Sequence, residues 1–212
     1  MIYDSTRFKA MFDALAKRLE TEKAHLCELD GKIGDADHGI AMAQGFSAAA
    51  RAIDGTEIKT LDPAGVFNLA AKSFLSAVGA SCGPLYATAF MRAGASLKGK
   101  EAASPEDVVA AFQAMARGIL DRGKAVPGEK TMVDAWVPAA DTLAGRFAAG
   151  DDLADALAAA AVSARDGAEA TKDMVAGKGR SARLGERARG HMDPGAASAA
   201  IVIEVMTGSL SG

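Results

Sequence analysis

Between positions 5 and 28 the large apolar residues stand at Phe8, Met11, Phe12, Leu15, Leu19 and Leu26, mostly three or four apart. That spacing lines one face of an α-helix and leaves the opposite face to charged side chains. The same stripe returns around 39–53, 62–78, 84–98, 105–122, 130–148, 151–173 and 195–210, which makes eight helices. Nothing alternates for long with the period of a strand. The best candidate, "AIVIEV" at 200–205, lies in a helical context and is assigned to the last helix. With 212 residues, half of them hydrophobic, the chain can bury one sizeable core, and residues 1–212 are read as a single all-α domain.

The helix starts carry their own punctuation. Asp62, Ser104 and Asp193 each precede a proline, pairing a capping side chain with the residue best suited to the first helical position. Ser5 or Thr6 is placed to cap the first helix. Glycine gathers between the helices instead, at 31–39, 79–83, 123–128 and 177–190. These joints are where function is sought. The longest, 174–194, lacks helical periodicity, and a loop of that length in a compact domain is functional or disordered.

Charge and hydropathy exclude several classes. A net charge of -3 and a pI near 5.7 give no general basic field for a nucleic-acid backbone. The first residues show no cationic stretch leading into an apolar run, and no window approaches the roughly 18 apolar residues of a membrane span. The expectation is a cytoplasmic protein with no membrane or nucleic-acid partner. Cys27 and Cys82 lie far apart, in neither a CxxC nor a Cys/His spacing, so no zinc site or disulfide framework is signalled.

The joint "LDGKIGDADHGIAMAQGF", residues 29–46, crowds Asp30, Asp35 and Asp37 together. Close carboxylates repel unless a cation neutralises them, and oxygen donors suit a hard divalent ion such as Mg2+ or Ca2+. The spacing fails a calcium EF-hand, because position five of a loop starting at Asp35 is Gly39 and no acid stands at position twelve. A solvated acidic loop capping the second helix is the plainer alternative. His38, beside two acids, is expected to be protonated, which suits an anion or acid/base work.

Three further joints carry complementary chemistry. In "VGASCGPLYATAF", Gly79, Ser81, Cys82 and Gly83 open the fourth helix, where small residues let an anion reach unpaired N–H groups; no lysine follows in Walker order. "DRGKAVPGEKTMVDAW" sets Lys124, Lys130 and Thr131 among Gly123, Pro127 and Gly128, just before Met132, and alone it reads as a helix connection. Residues 177–190 carry Lys178, Arg180, Arg183, Arg187 and Arg189 against Glu186 alone, a local charge of +4, with no aromatic residue to stack on bases. Set beside three metal-seeking aspartates, a basic, glycine-rich flap is what a nucleoside triphosphate site requires.

Taken together, "GDADHG", "GPLYATAF", "PGEKTMVDAW" and "GRSARLGERARGHMDPGA", in that order along nearly the whole chain, closely resemble the nucleotide-binding L subunits of bacterial dihydroxyacetone kinases. The resemblance implies eight antiparallel helices closed into a barrel, with the nucleotide among the loops at one end. It implies that Asp30, Asp35 and Asp37 hold two Mg2+ ions bridging the phosphates of ADP or ATP. Nucleotide contacts then fall on His38, Gly39, Ile40 and Ala41, on Ser81 and Cys82, on Gly123, Met132 and Arg180, and on Asp193, Pro194 and Gly195. Arg180, steadying the phosphates, and His38 are the catalytic candidates. Cys82 stands where serine is expected, and Met192 where a polar residue is commoner.

The implied reaction moves a phosphoryl group from Mg2+-ATP to dihydroxyacetone or a similar short ketose held on a separate K subunit. The chain would then be a homodimer or a hetero-oligomer with that K subunit. The bound nucleotide is renewed either by exchange for ATP or by rephosphorylation of ADP through a phosphotransferase-system M subunit, and the motifs do not choose between them. Two other readings stay open: a non-catalytic nucleotide-sensing module docked on a regulator, and a metal-dependent phosphohydrolase with His38 as its candidate base.

Overall fold

Eight α-helices carry the described residues, 2–212, in a computed structural model of the chain. They are α1 (Ser5–Ile33), α2 (His38–Asp54), α3 (Pro63–Ala77), α4 (Cys82–Ser96), α5 (Pro105–Gly123), α6 (Val133–Ala148), α7 (Leu153–Ala170) and α8 (Pro194–Ser211). Short connections force neighbours to run antiparallel, and each helix packs on the next. α1 also packs along α8, so the ring closes. The expected eight-helix barrel is the fold observed, and "AIVIEV" is helical within α8.

Three of the expected caps form. The carboxylate of Asp62 accepts from Gly65 N–H at 2.7 Å and that of Asp193 from Ala196 N–H at 2.7 Å. Ser104 Oγ accepts from Asp107 N–H while Asp107 returns a bond to Ser104 N–H, a reciprocal capping box. The first helix departs from expectation, because Asp4 and not Ser5 or Thr6 caps it, accepting from Arg7 N–H at 2.9 Å. Asp4 is available there because Tyr3–Asp4 (β1) pairs antiparallel with Ala102–Ala103 (β2), two strands too short to leave a period in the sequence. The alternative in which the acidic joint merely caps α2 gains no support from Asp37, whose side chain makes no cap bond; only its carbonyl receives Ala41 N–H.

α1 continues past position 28 to Ile33, so Asp30 belongs to its last turn and not to the loop. Ile33 explains the extension, since it is buried in a small apolar cluster with Ala176 and Ala188 of the 174–194 segment. The barrel interior is filled on one side by rings from α1 to α6. Phe12 and Phe90 meet edge-on at 5.3 Å, Phe46 and Phe74 at 5.2 Å, and Phe112 lies 5.2 Å from Trp136. Edge-to-face pairs of this kind add to the burial of large apolar area. α7 and α8 face these rings with alanines, among them Ala156, Ala160, Ala164 and Ala199, all fully buried. Small side chains on one wall leave room for large ones on the other. Among the described residues, no helix is long and apolar enough to cross a membrane.

Candidate functional site

In an up-and-down ring, alternate connections meet at the same end. The joints α1–α2, α3–α4, α5–α6 and α7–α8 are the four that the glycine pattern singles out, and together they surround a cavity of about 580 Å³. That volume suits a small-molecule ligand. The N-termini of α2, α4, α6 and α8 all open onto it, bringing His38, Cys82, Val133 and Pro194 to the wall. Converging helix N-termini supply unpaired N–H groups and partial positive charge, a setting for an anion.

One wall is acidic. Asp30, Asp35 and Asp37 each bring a carboxylate oxygen within 4.8 Å of the others'. Asp30 is buried and fixed, its Oδ2 accepting from the N–H groups of Asp37 at 2.9 Å and His38 at 3.2 Å. Its Oδ1 lies against Gly34, where a Cβ would overlap it, so the turn needs glycine there. Ala36, between the two exposed aspartates, has a φ of +62°, which a residue with a side chain adopts at a cost of about 1–2 kcal/mol. The turn that gathers the carboxylates therefore holds them in a strained, mutually repelling arrangement. Partial burial and then the Asp35 carboxylate hold the Asp37 carboxyl above its usual range. Three oxygen donors at this separation fit a hard divalent ion such as Mg2+.

The basic flap reaches this wall: Arg180 forms an ion pair with Asp35. Arg180 precedes a short 3-10 segment, Ser181–Ala188, broken at Gly185 by a non-helical backbone. Lys178 also lines the cavity.

His38 differs from the sequence expectation. Burial outweighs the attraction of Asp30 and pushes its pKa down, so the ring is neutral at pH 7 and not an imidazolium. Its Nε2 lies 2.8 Å from Ser198 Oγ, which itself donates to Gly195 C=O at 3.0 Å. Cys82, at the mouth of α4, is a thiol for the same reason: burial raises its pKa to about 11 against the pull of the helix N–H groups. Asp193, capping α8, is lifted to about 7 by burial, opposed by Ala196 N–H and Lys130.

Of the residues the motifs point to, the structure brings Asp30, Asp35, Asp37, His38 and Ala41 to the cavity from the first joint. Ser81 and Cys82 come from the second, Gly123 and Met132 from the third, and Arg180, Asp193, Pro194 and Gly195 from the fourth. Gly39 and Ile40 are not on the cavity wall. Gly39 is buried where α2 crosses α1, so close that a Cβ would overlap Lys23 C=O, while Ile40 is 42% exposed. Ala41 lines the cavity, but its N–H is already bonded to Asp37 C=O. The wall also holds Lys130, Arg122, Leu85 and Ile119, which the motifs did not assign. Leu85, Ile119, Met132 and Val133 make its apolar side, opposite the carboxylates in chemistry. For Leu85 and Ile119 the helical stripe gave no sign that the cavity end of the barrel would claim them.

Comparison with known proteins points the same way. The family described as DAK2 domain matches residues 32–208. The chain is 38% identical over 186 residues to the PEP-dependent dihydroxyacetone kinase, ADP-binding subunit DhaL, of Escherichia coli (strain K12), covering 88% of each chain. It is 38% identical over 206 residues, 97% of each chain, to the corresponding subunit of PEP-dependent dihydroxyacetone kinase 1 from Listeria innocua. Its fold is similar to the crystal structure of the dihydroxyacetone kinase from C. freundii in complex with AMP-PNP and Mg2+, with a TM-score of 0.73 and 28% identity. That match covers 95% of this chain but 33% of the larger kinase chain.

Proposed function

The chain belongs to the DAK2 domain family of dihydroxyacetone kinases, and from that premise we propose that it is the subunit that carries ADP and ATP. In this reading it passes the terminal phosphoryl group to a hydroxyl of dihydroxyacetone or a similar short ketose, held on a separate K subunit. The single observation that carries the reading is the cavity itself, in which three carboxylates, four helix N-termini, a basic flap and an apolar wall meet. Each answers one part of a metal-bound nucleotide.

Asp30, Asp35 and Asp37 hold two Mg2+ ions in this reading. These carboxylates would hold the metal, which when bound would supply positive charge to offset that of the phosphates. Asp30 is positioned by the two N–H bonds to its Oδ2, and it positions the start of α2 in return. Arg180, already paired with Asp35, is the cation placed to offset the charge of the transferring group. His38 serves as a neutral hydrogen-bonding group at the phosphates, its ring angle set by Ser198. Ser81 and Cys82 offer backbone N–H groups at the start of α4, so a cysteine in place of serine leaves that contact intact. Gly123 and Met132, with the apolar wall, receive the adenine, and Asp193, Pro194 and Gly195 close the floor. The transfer breaks the bond from the γ-phosphorus to the bridging oxygen, forms one to the ketose oxygen and releases the hydroxyl proton.

Both relatives are named as PEP-dependent and ADP-binding. That favours retention of ADP as a cofactor, rephosphorylated by a phosphotransferase-system M subunit, over exchange for free ATP. Purifying the chain without added nucleotide and identifying what accompanies it tests this. Slowly exchanging ADP supports the proposal; a chain that carries none and binds neither ADP nor ATP with Mg2+ overturns it.

A further inference from the structure

Lys130 is fully buried although its side chain ends in a cation. Its ammonium donates to the backbone carbonyls of Thr171 and His191. Those two residues stand at either end of the flap, residues 172–190. The neck between them is closed by Gly190 N–H donating to Lys172 C=O at 2.8 Å and Asp193 N–H donating to Thr171 Oγ1 at 2.9 Å. Lys130 therefore sits across the base of the loop that carries Arg180.

The segment presenting Lys130 is built for the purpose. Lys130 has a φ of +60°, in the left-handed region that side chains disfavour. Asp134, buried in the first turn of α6, holds this conformation by accepting from the N–H groups of Gly128 and, at 2.8 Å, Thr131. Glu129 ties the same segment to the middle of the flap, its carbonyl accepting from Gly177 N–H at 3.0 Å. A buried ammonium is costly, and an apolar side chain of similar volume would pack at least as well. What the lysine adds is a condition: neck carbonyls and cation are satisfied together or left unpaired together.

We propose that Lys130 is a positioning residue that staples the neck of the 172–190 flap, keeping Arg180 over the acidic cluster and thereby setting how slowly the bound nucleotide leaves. The nucleotide half of this statement rests on the function proposed above. The staple does not, and the two are separable by experiment.

Hydrogen exchange on the full, nucleotide-free chain compares the wild type with Lys130→Met, which keeps length and loses charge. Losing a charge-assisted pair of bonds at the neck is expected to speed exchange of the flap amides roughly tenfold to a hundredfold, with α1 to α5 unchanged. After loading with Mg2+ and a fluorescent ADP, release is expected to accelerate by a similar factor while association is unaltered. Flap exchange equal to wild type, or faster exchange spread evenly over all helices, overturns the staple, because either outcome makes Lys130 an ordinary core group. Should Lys130→Met fail to fold, Lys130→Gln, which loses the charge and the reach to both neck carbonyls but keeps a polar end, takes its place; unchanged flap exchange there overturns the proposal equally. A wild-type chain that binds no ADP refutes the nucleotide half alone, and the exchange comparison still decides the staple.

Discussion

Replacing Asp30 with asparagine separates the charge of this carboxylate from its shape. Asparagine keeps an oxygen for the N–H groups of Asp37 and His38, but bonds to a charged acceptor, about 1.5–3 kcal/mol each, become neutral ones of about 0.5–1.5. Against this, one of three carboxylates within 4.8 Å disappears. A like-charge pair at that distance costs roughly 3 kcal/mol at an effective dielectric of 20, and less here because Asp35 and Asp37 are exposed. The opposing effects are of similar size, so in chelator the variant should unfold within about 1 kcal/mol of wild type. With Mg2+ and ADP at a hundred times the dissociation constant, the wild type gains about 2.7 kcal/mol, a rise of roughly 5–10 °C in Tm. Asp30→Asn should show almost none of that rise. Thermal unfolding in EDTA and in Mg2+-ADP measures both quantities. A variant with the full ligand-induced rise refutes the metal role of Asp30. One destabilised by several kcal/mol in EDTA makes the residue structural instead.

Two other expectations follow from the core and the cavity wall. Phe90 touches Phe12, Phe46, Phe67, Phe74 and Tyr86 in the ring cluster, so Phe90→Ala should lower stability by about 3–5 kcal/mol in denaturant titration; a loss under 1 would mean the barrel interior collapses to fill the space. Cys82, with its pKa raised from 9.0 to about 11, holds about a hundredfold less thiolate at pH 8 than an ordinary cysteine. Its alkylation by iodoacetamide should be slower by at least that factor and should keep climbing with pH towards 11. A rate that levels off near pH 9 would contradict the burial argument.

Much of the fold is written in local signals. Helix stripes with three- and four-residue spacing survive because each helix buries one face, and Asp62, Ser104 and Asp193 cap as read because their partners lie three residues away. What escaped depends on contacts distant in sequence. α1 reaches Ile33 only because the flap covers that residue. Asp4 caps α1 where β1 meets β2, nearly a hundred residues further on. His38 looked cationic beside two acids, yet burial between α2 and α8 decides its charge. The aspartate cluster was legible because an eight-residue span confines it. Lys130 was visible as a loop lysine, but its partners Thr171 and His191 lie 41 and 61 residues away, and no pattern announces them.

The most direct test of the account loads the purified chain with Mg2+-ATP, removes free nucleotide and mixes it with a K subunit already carrying dihydroxyacetone. A single turnover needs no recharging partner, so the outcome does not depend on whether ATP exchanges or ADP stays bound. The account predicts stoichiometric appearance of the ketose phosphate as ATP on the chain becomes ADP, abolished when Asp37→Asn is used. Tightly bound ATP that persists unchanged in the presence of the charged K subunit would contradict it, and would leave a nucleotide-sensing module in its place.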